Sequence, residues 1–357
     1  MIKLYPRLKI DLKKITENSE KIYALAEESA ISVTAITKVF CAIPEVAKAM
    51  LVGQMGVLGD SRIENLKNLQ HLRAEKMLIR IPMLSEIDAV VRYAGISLNS
   101  QEQTLEALDQ AAAKHGVYHK VMLMFDLGDL REGVFYREEL IALAKKAEKL
   151  KNLHLIGIGS NLSCFGAIIP DENNLGRLVS LGEELNSVLG RELEVISGGS
   201  TSSLHLLYEK RMPRGINNLR IGEAILCGTD TSNDQKVPDV HYDCFVIEAE
   251  LVEVLNKPSR PIGKSGLDAF GTVPDFPDKG VRKRAIAALG KQDYAGQLLV
   301  PLQPGVEVLG SSSDHLLLDI SDAEENLKLG DIVTFIPNYG SLLALCTSSY
   351  VAKEIIR

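Results

Sequence analysis

The sequence predicts an α/β chain: a (β/α)8 barrel of the TIM type followed by a C-terminal β-rich domain. Three observations predict it. Short apolar, β-rich runs alternate with stretches of helical period, and eight such runs precede residue 236. Beyond that point the texture changes to strand-like runs separated by turn-rich pieces such as KPSRP, PDFPDKG and QPGVEVLGSSSDH. The chain's 357 residues are comfortable for two domains, expected at 1–236 and 237–357.

In order, the eight runs are 32–38 (SVTAITK), 54–59 (QMGVLG), 76–82 (KMLIRIP), 95–99 (GISLN), 119–126 (HKVMLMFD), 153–160 (LHLIGIGS), 193–198 (LEVISG) and 217–222 (NNLRIG). Helical stretches lie between them at Pro44–Val52, Ile63–Leu72, Gln101–Lys114, Arg137–Leu150 and Leu175–Leu189. Pro44 suits a first helical turn, where no amide donor is required. The repeat closes at eight without a break, which favours a barrel over an open doubly wound sheet. In the second domain 241–256 alternates like a strand, and strand-like runs recur at RAIAALG, GVEVLG, HLLLDI, DIVTFI and LLALCTSSYV. A further strand, Arg7–Leu12, precedes the barrel and is expected to pair with that domain.

Composition excludes several function classes. Apolar residues make up 46% and charged residues 24%, the balance of an ordinary globular protein. The formal charge is −7, no Lys/Arg run stands out, Trp is absent and aromatics are 5%, so a nucleic-acid surface is not expected. The cysteines, Cys41, Cys164, Cys227, Cys244 and Cys346, are odd in number and show no CxxC spacing. Neither a disulfide framework nor a metal site is expected from them. The start, MIKLYPRLKIDL, lacks a signal-peptide core, and no stretch nears the ~18 apolar residues of a membrane span. The expectation is a soluble, cytoplasmic protein that does not contact membranes.

A barrel carries its chemistry at the C-terminal ends of its strands. Here those ends are polar at nearly every strand: Lys38, Asp60-Ser61-Arg62, Arg80, Asn99, Asp126 with Arg131, Ser160-Asn161, the Ser197–Thr201 loop, and Arg220 with Glu223. Lys38 sits in an otherwise apolar run. It reads either as a lysine snorkelling from a strand edge or as a desolvated amine of lowered pKa suited to covalent carbonyl chemistry. The loop SGGSTSS after the seventh strand, with Ser197, Gly199, Ser200 and Thr201, offers backbone amides and hydroxyls to a phosphate. Arg220, with Gly222 behind it, can donate to a ring nitrogen, or instead pair with Glu223. Arg131 can hold a phenolate or carboxylate, or instead pair with Asp129 or Glu132. His205, in SSLHLL, reads as a helix residue rather than a catalyst.

Together these residues resemble the alanine racemase family of fold-type III pyridoxal-phosphate (PLP) enzymes, over nearly the whole chain. The carriers are ITK38V for the cofactor lysine, Asp126–Arg131 for a DxGxxR-type motif, SGGSTSS for the phosphate loop, Arg220-Ile221-Gly222 for the RxG after the last strand, and Ser313-Asp314-His315 for an MDQ-like segment. The chain is more closely similar to the alanine/ornithine racemase subfamily, through GDSRIENL at 59–66, LIRIPMLSE at 78–86, GSNLSCFGAIIP at 159–170, NNLRIGEAILCG at 217–228, SSSDHLLLDI at 311–320 and PNYG at 337–340. Two departures stand out. Ala42 occupies the place of a phosphate-binding tyrosine, and Lys291, in Gly290-Lys291-Gln292-Asp293, that of the tyrosine serving as second base.

The resemblance implies PLP on Lys38, with Ser197, Gly199, Ser200, Thr201, Arg220, Gly222 and Asn161 around it and Arg131 beside the reacting groups. It implies amino-acid racemisation by two-base α-proton exchange in a head-to-tail homodimer, with ornithine first and lysine next as substrate. Alanine racemisation, or the aldolase or dehydratase chemistry of other fold-type III enzymes, remains the alternative. The second base would come from the β domain of a partner, with Tyr339, Asp314, Tyr294, His315 and Lys291 as candidates. Acidic residues expected near the mouth, Asp129, Glu223, Asp293 and Asp314, would face the substrate's terminal ammonium.

Overall fold

The computed structural model describes residues 4–51, 56–271, 273 and 275–357. Part of the expected 54–59 strand and the last residue of the expected Pro44–Val52 helix lie outside the described residues. The chain divides into two compact units, one spanning Leu12–Tyr242 and the other joining residues up to Asp11 with Asp243–Arg357.

In chain order, β1 (Arg7–Asp11) leads into α1 (Leu12–Glu27), β2 (Ser32–Ile36), α2 (Pro44–Leu51), β3 (Val57–Asp60), α3 (Ile63–Asn68), β4 (Glu75–Leu78), α4 (Ile87–Tyr93) and β5 (Ile96–Asn99). Then come α5 (Glu102–His115), β6 (His119–Met124), α6 (Arg137–Ala147), β7 (Leu153–Gly159), α7 (Glu172–Leu189), β8 (Val195–Ser197), α8 (His205–Tyr208), β9 (Asn218–Ile221) and α9 (Glu223–Cys227). A short ladder, β10 (Thr229–Asp230) and β11 (Gln235–Lys236), completes the first unit. Strands β2 to β9 form a closed, parallel barrel in sequence order, with β9 pairing back onto β2. All eight expected strands are present, most of them shorter than the apolar runs that encode them.

Strand alternation decides what fills the barrel. Met77, Ile96, Leu98, Met122, Met124 and Ile156 form a buried cluster joined by Val57, Ile79 and Val195. The helices lay apolar stripes on the strands; α5, for instance, buries Leu105, Leu108, Ala111 and Ala112. Asp171 caps α7 by accepting from the Asn174 amide at 2.7 Å.

The second unit contains β12 (Phe245–Pro258), β13 (Val281–Ala287), α10 (Lys291–Tyr294), β14 (Leu299–Pro301), β15 (Glu307–Ser311), β16 (Leu316–Asp319), β17 (Ile332–Pro337), α11 (Tyr339–Thr347) and β18 (Ala352–Ile356). Its sheet order is β14-β17-β12-β13-β16-β15, with β1 antiparallel to β12 and parallel to β18. The long strand β12 shifts register between Leu251 and Glu253. Its first part pairs with β17 and its second with β13. The unit therefore begins at Asp243 rather than at 237, and it takes in the N-terminal strand. Residues 237–242 stay with the barrel unit for a local reason. Asn18 of α1 donates to the His241 carbonyl at 2.7 Å and accepts from its amide at 2.7 Å, while the His241 ring meets Glu17 at 2.6 Å.

Candidate active site

Lys38 lies two positions beyond the last residue of β2 and opens a single 3-10 turn, Lys38–Phe40. Beneath it, Ile36 and Thr34 face the barrel interior, where they approach Gly59 and Ile79. The lysine is half-buried. Burial pulls its amine below the usual lysine range, and the Arg131 guanidinium pulls the same way; Cys164, Asp60 and Glu132 act in the opposite sense. Asp60 ends β3, and Arg131, Glu132 and Cys164 lie in the loops that follow β6 and β7, which puts the amine at the C-terminal mouth of the barrel. The snorkelling alternative, an exposed ammonium at an edge, does not describe this side chain.

Arg220, on β9, is 5% exposed. Its guanidinium donates to the Ser160 carbonyl at 2.7 Å and to the Ser197 hydroxyl. Ser197 passes its own proton to Asn218 Oδ1 at 2.7 Å. Burial pulls the arginine down to about 10, so it remains a cation at neutral pH. The ion pair with Glu223 does not form, because Glu223 accepts from the Thr229 hydroxyl at 2.8 Å and the Thr231 amide at 3.0 Å. Gly159 on β7 makes room for this arrangement. A Cβ there would come within 3.1 Å of Met122 Sδ, 3.2 Å of Ser197 Cβ and 3.4 Å of Arg220 Nη1.

The loop after β8 turns into a 3-10 turn, Thr201–Ser203. Gly199 takes φ +105°, which an L side chain rarely adopts. Its carbonyl accepts from the Arg220 amide at 2.9 Å, which fastens the loop to β9. Ser200 is half-buried, with its hydroxyl 3.2 Å from that of Ser202. The Thr201 hydroxyl accepts from the Ala224 amide at 3.3 Å, in the first turn of α9, next to Gly222. Ser197 differs from the expectation. It is fully buried and orients Arg220, because it lies on the strand, on the inward register, and not in the loop. His205 opens α8 and bonds the Ser202 carbonyl at 2.9 Å, a helix residue as expected.

Asp126 shapes the loop after β6 by accepting from the amides of Gly128 at 2.8 Å and Leu130 at 3.2 Å. Arg131 emerges from that loop and pairs with Glu132; the Asn161 side-chain amide lies against it, and assigning the Asn161 oxygen to the arginine side lets it accept from Nη1 at 3.2 Å. Asp129 takes no part in that pair. It is fully buried and accepts from the amides of Cys164 (3.2 Å), Phe165 (2.9 Å) and Ile168 (3.2 Å), so it folds the loop after β7.

In the other unit Lys291, Tyr294, Asp314 and His315 gather around one hairpin. Lys291 and Gln292 donate their amides to the carbonyls of Ser312 (2.9 Å) and Ser313 (3.0 Å). Tyr294 shares a 2.6 Å hydrogen bond with Ser311, and burial pushes its phenol up. Asp314 is exposed and meets His315 at 3.0 Å. Tyr339 opens α11, half-exposed. Lys291 lies 3.6 Å from the centre of the Phe270 ring. Asp293 is buried and accepts from the Gly290 amide at 3.2 Å and the Ser348 hydroxyl at 3.0 Å. Of the four acids expected to face a terminal ammonium, Asp129, Glu223 and Asp293 are thus occupied by backbone amides and hydroxyls of the protein, and Asp314 is the exposed one.

Sequence reasoning passed over Thr37 and Asn65, whose side chains both bond Asp60. A hydroxyl next to the lysine, out of phase with the inward residues, was the available signal.

Residues 10–230 match the family described as alanine racemase, N-terminal domain. Over 353 residues, 99% of this chain and 100% of the relative, the sequence is 44% identical to an ornithine racemase of Acetoanaerobium sticklandii. Over 352 residues, 98% of each, it is 39% identical to a lysine racemase of Thermotoga maritima. Among solved structures, alanine racemase from Streptomyces lavendulae superimposes with a TM-score of 0.80 at 16% identity, covering 100% of this chain and 98% of that one. D-threonine aldolase from Filomicrobium marinum does so with 0.72 at 15%, covering 96% and 88%. The two structural likenesses speak for the shared barrel and β-rich architecture alone; the family match and the two full-length relatives go further, and by them this chain is a member of the alanine racemase family.

Proposed function

We propose that the protein is a PLP-dependent racemase of basic amino acids, acting on ornithine first and lysine next. The observation that carries the reading is the full-length similarity to racemases named for those two substrates, in a chain that also presents Lys38 at the barrel mouth. The donor set fits the cofactor. It supplies an amine for an aldehyde, a loop of amides and hydroxyls at Gly199–Thr201 for a phosphate, and a buried guanidinium for a ring nitrogen. Arg220 suits the last role because its two acceptors are neutral and use only part of its five N–H donors.

When bound, PLP accepts the electrons of the substrate's Cα–H bond. Lys38 removes or returns the proton on one face, and its lowered pKa keeps a larger share of the amine unprotonated near neutrality. Arg220, a cation at neutral pH, would donate to the ring nitrogen and so keep it unprotonated, which would limit side reactions. Arg131, with Asn161 against it, orients a carboxylate or phenolate at the mouth. The second proton carrier belongs to the β-rich unit of a partner in a head-to-tail homodimer, drawn from Tyr339, Asp314, Tyr294, His315 and Lys291. Exposed Leu130, Phe165, Ile168 and Ile169 on the mouth loops supply apolar surface for such an assembly. Among the described residues no helix is long and apolar enough to cross a membrane, and the proposed setting is the cytoplasm.

The test is kcat/KM for L-ornithine, L-lysine, L-alanine and L-serine on one PLP-supplemented preparation, followed by chiral chromatography. Ornithine is expected to lead. A tenfold lead for alanine removes the basic-substrate reading, and no turnover of any amino acid removes the racemase reading.

A further inference from the structure

We propose that Asp60 is a positioning residue for Lys38, acting through Thr37 on the backbone from which the lysine projects and through its negative charge on the amine. The inference rests on the reading of Lys38 as the reactive amine.

The geometry begins at the adjacent ends of β2 and β3. The Thr37 amide donates to the Gly59 carbonyl at 2.9 Å, which continues the ladder one residue past β2. The Thr37 hydroxyl then donates to Asp60 Oδ2 at 2.6 Å, and both residues are fully buried. That hydroxyl also lies 3.3 Å from the Gly59 carbonyl, but its single proton favours the nearer, charged acceptor. The other carboxylate oxygen accepts from the Arg62 amide at 2.9 Å and the Asn65 side chain at 3.0 Å. All three partners act as donors, so the site is built for an ionised carboxylate, although burial pushes the Asp60 carboxyl up.

The tie anchors a strained stretch of chain. Immediately after the 3-10 turn at Lys38–Phe40, Cys41 and Ala42 take φ of 52° and 50°, consecutive left-handed conformations at non-glycine residues. Such strain persists only where the surroundings fix the chain. Burial of Val39 and Phe40 fixes the far side of the turn. The Thr37–Asp60 bond fixes the near side, one residue from Lys38.

Charge is the second part of the role. The charged and titratable groups that act on the Lys38 amine are, largest first, Cys164 after β7, Arg131 after β6, Asp60 at the end of β3 and Glu132 after β6. Of the two carboxylates, Asp60 is held by three donors and Glu132 is paired with Arg131. Among the described residues Asp60 is therefore the carboxylate of the two that no cation neutralises.

The experiment uses the full-length protein, without substrate. Acetic anhydride labelling at a series of pH values, read by peptide mass spectrometry against the other lysines, gives the Lys38 midpoint. Borohydride trapping of pyridoxal phosphate on Lys38 gives a second readout. In Asp60→Asn the shape is kept and the charge lost, so the midpoint falls by roughly 0.5 to 1 pH unit. In Thr37→Val the charge is kept and the tie lost, so trapping slows about fivefold, and Thr37→Ser recovers most of it. An unchanged midpoint in Asp60→Asn, or wild-type trapping in Thr37→Val, overturns the proposal. If Asp60→Asn does not fold, the two Thr37 variants decide alone. Failure of the wild-type protein to trap cofactor on Lys38 is a different result, which removes the underlying reading of the lysine.

Discussion

Arg220 donates to the backbone carbonyl of Ser160 at 2.7 Å, so the strand end after β7 and the cation on β9 are held as one piece inside the barrel. No carboxylate lies within ion-pair distance of this guanidinium among the described residues. A buried cation with neutral acceptors is an expensive arrangement, and its retention is explained if the unused donors serve a ligand.

Replacing Arg220 separates that role from packing. Arg220→Met keeps the volume, removes a desolvated charge and leaves the Ser160 carbonyl and Ser197 hydroxyl to each other's neighbourhood, so the fold should survive with a stability change of about 1–2 kcal/mol. Racemisation should fall about 100-fold, or ~3 kcal/mol in barrier, and the visible absorbance of the bound cofactor should change. A variant with wild-type turnover and spectrum removes Arg220 from the ring-nitrogen role.

The loop after β8 predicts an affinity effect without a folding effect. Ser200→Ala deletes a half-buried hydroxyl whose protein partner is Ser202, so thermal stability should hold while PLP affinity drops about fivefold to tenfold, ~1 kcal/mol. Gly199→Val should weaken PLP further and also cost about 1–3 kcal/mol of stability, because φ is +105° and a new Cβ would sit 3.0 Å from Ser203 Oγ. Equilibrium dialysis beside calorimetry reads both quantities. Unchanged affinity in both variants places the phosphate elsewhere.

The barrel was legible because each strand carries a compact apolar run with a polar end, and that pattern survives without any knowledge of partners. Lys38 was legible for the same reason: one cation in an apolar run is conspicuous. Ser197 was read both as part of the 193–198 run and with the loop; the fold ends β8 at it and turns it toward Arg220, a contact across 23 residues that no local pattern encodes. Asp129, Glu223 and Asp293 were expected to face substrate because charge can be counted in a sequence. Their loop amides and hydroxyls cannot be, since the bonds from Asp129 to Cys164 and Phe165 span 35 and 36 residues. The boundary at 242 depends on Asn18 meeting His241 across 223 residues, which no local pattern encodes.

Assembly gives a complementation test. If a partner's β-rich unit supplies the second proton carrier, Lys38→Ala and Tyr339→Phe homodimers should each lose at least about 100-fold in activity. Mixing and re-annealing them should restore up to about a quarter of wild-type activity, from heterodimers holding one intact site. Asp314→Asn belongs in the same series. No recovery in a mixture shown by sedimentation to exchange subunits excludes a shared site.

His119 makes the last prediction, one about stability and not catalysis. It starts β6, at the end of the strand away from the mouth, and is 1% exposed. Its Nε2 lies 2.8 Å from the Ser97 hydroxyl, and burial pushes its pKa from 6.5 down to about 4. The native protein thus keeps this ring neutral where the unfolded chain protonates it. Between pH 6.5 and about 4 the unfolded state binds more protons, so stability falls as the pH falls through that window. A shift of that size makes about 2 kcal/mol of the loss appear between pH 7.5 and 5, and about 3 kcal/mol when complete. His119→Gln retains a donor for Ser97 but cannot be protonated. It should be less stable than wild type at pH 7.5, yet its urea midpoint should depend on pH less steeply, by that ~2 kcal/mol. Parallel pH profiles for the two proteins would show that the acid sensitivity arises at another group.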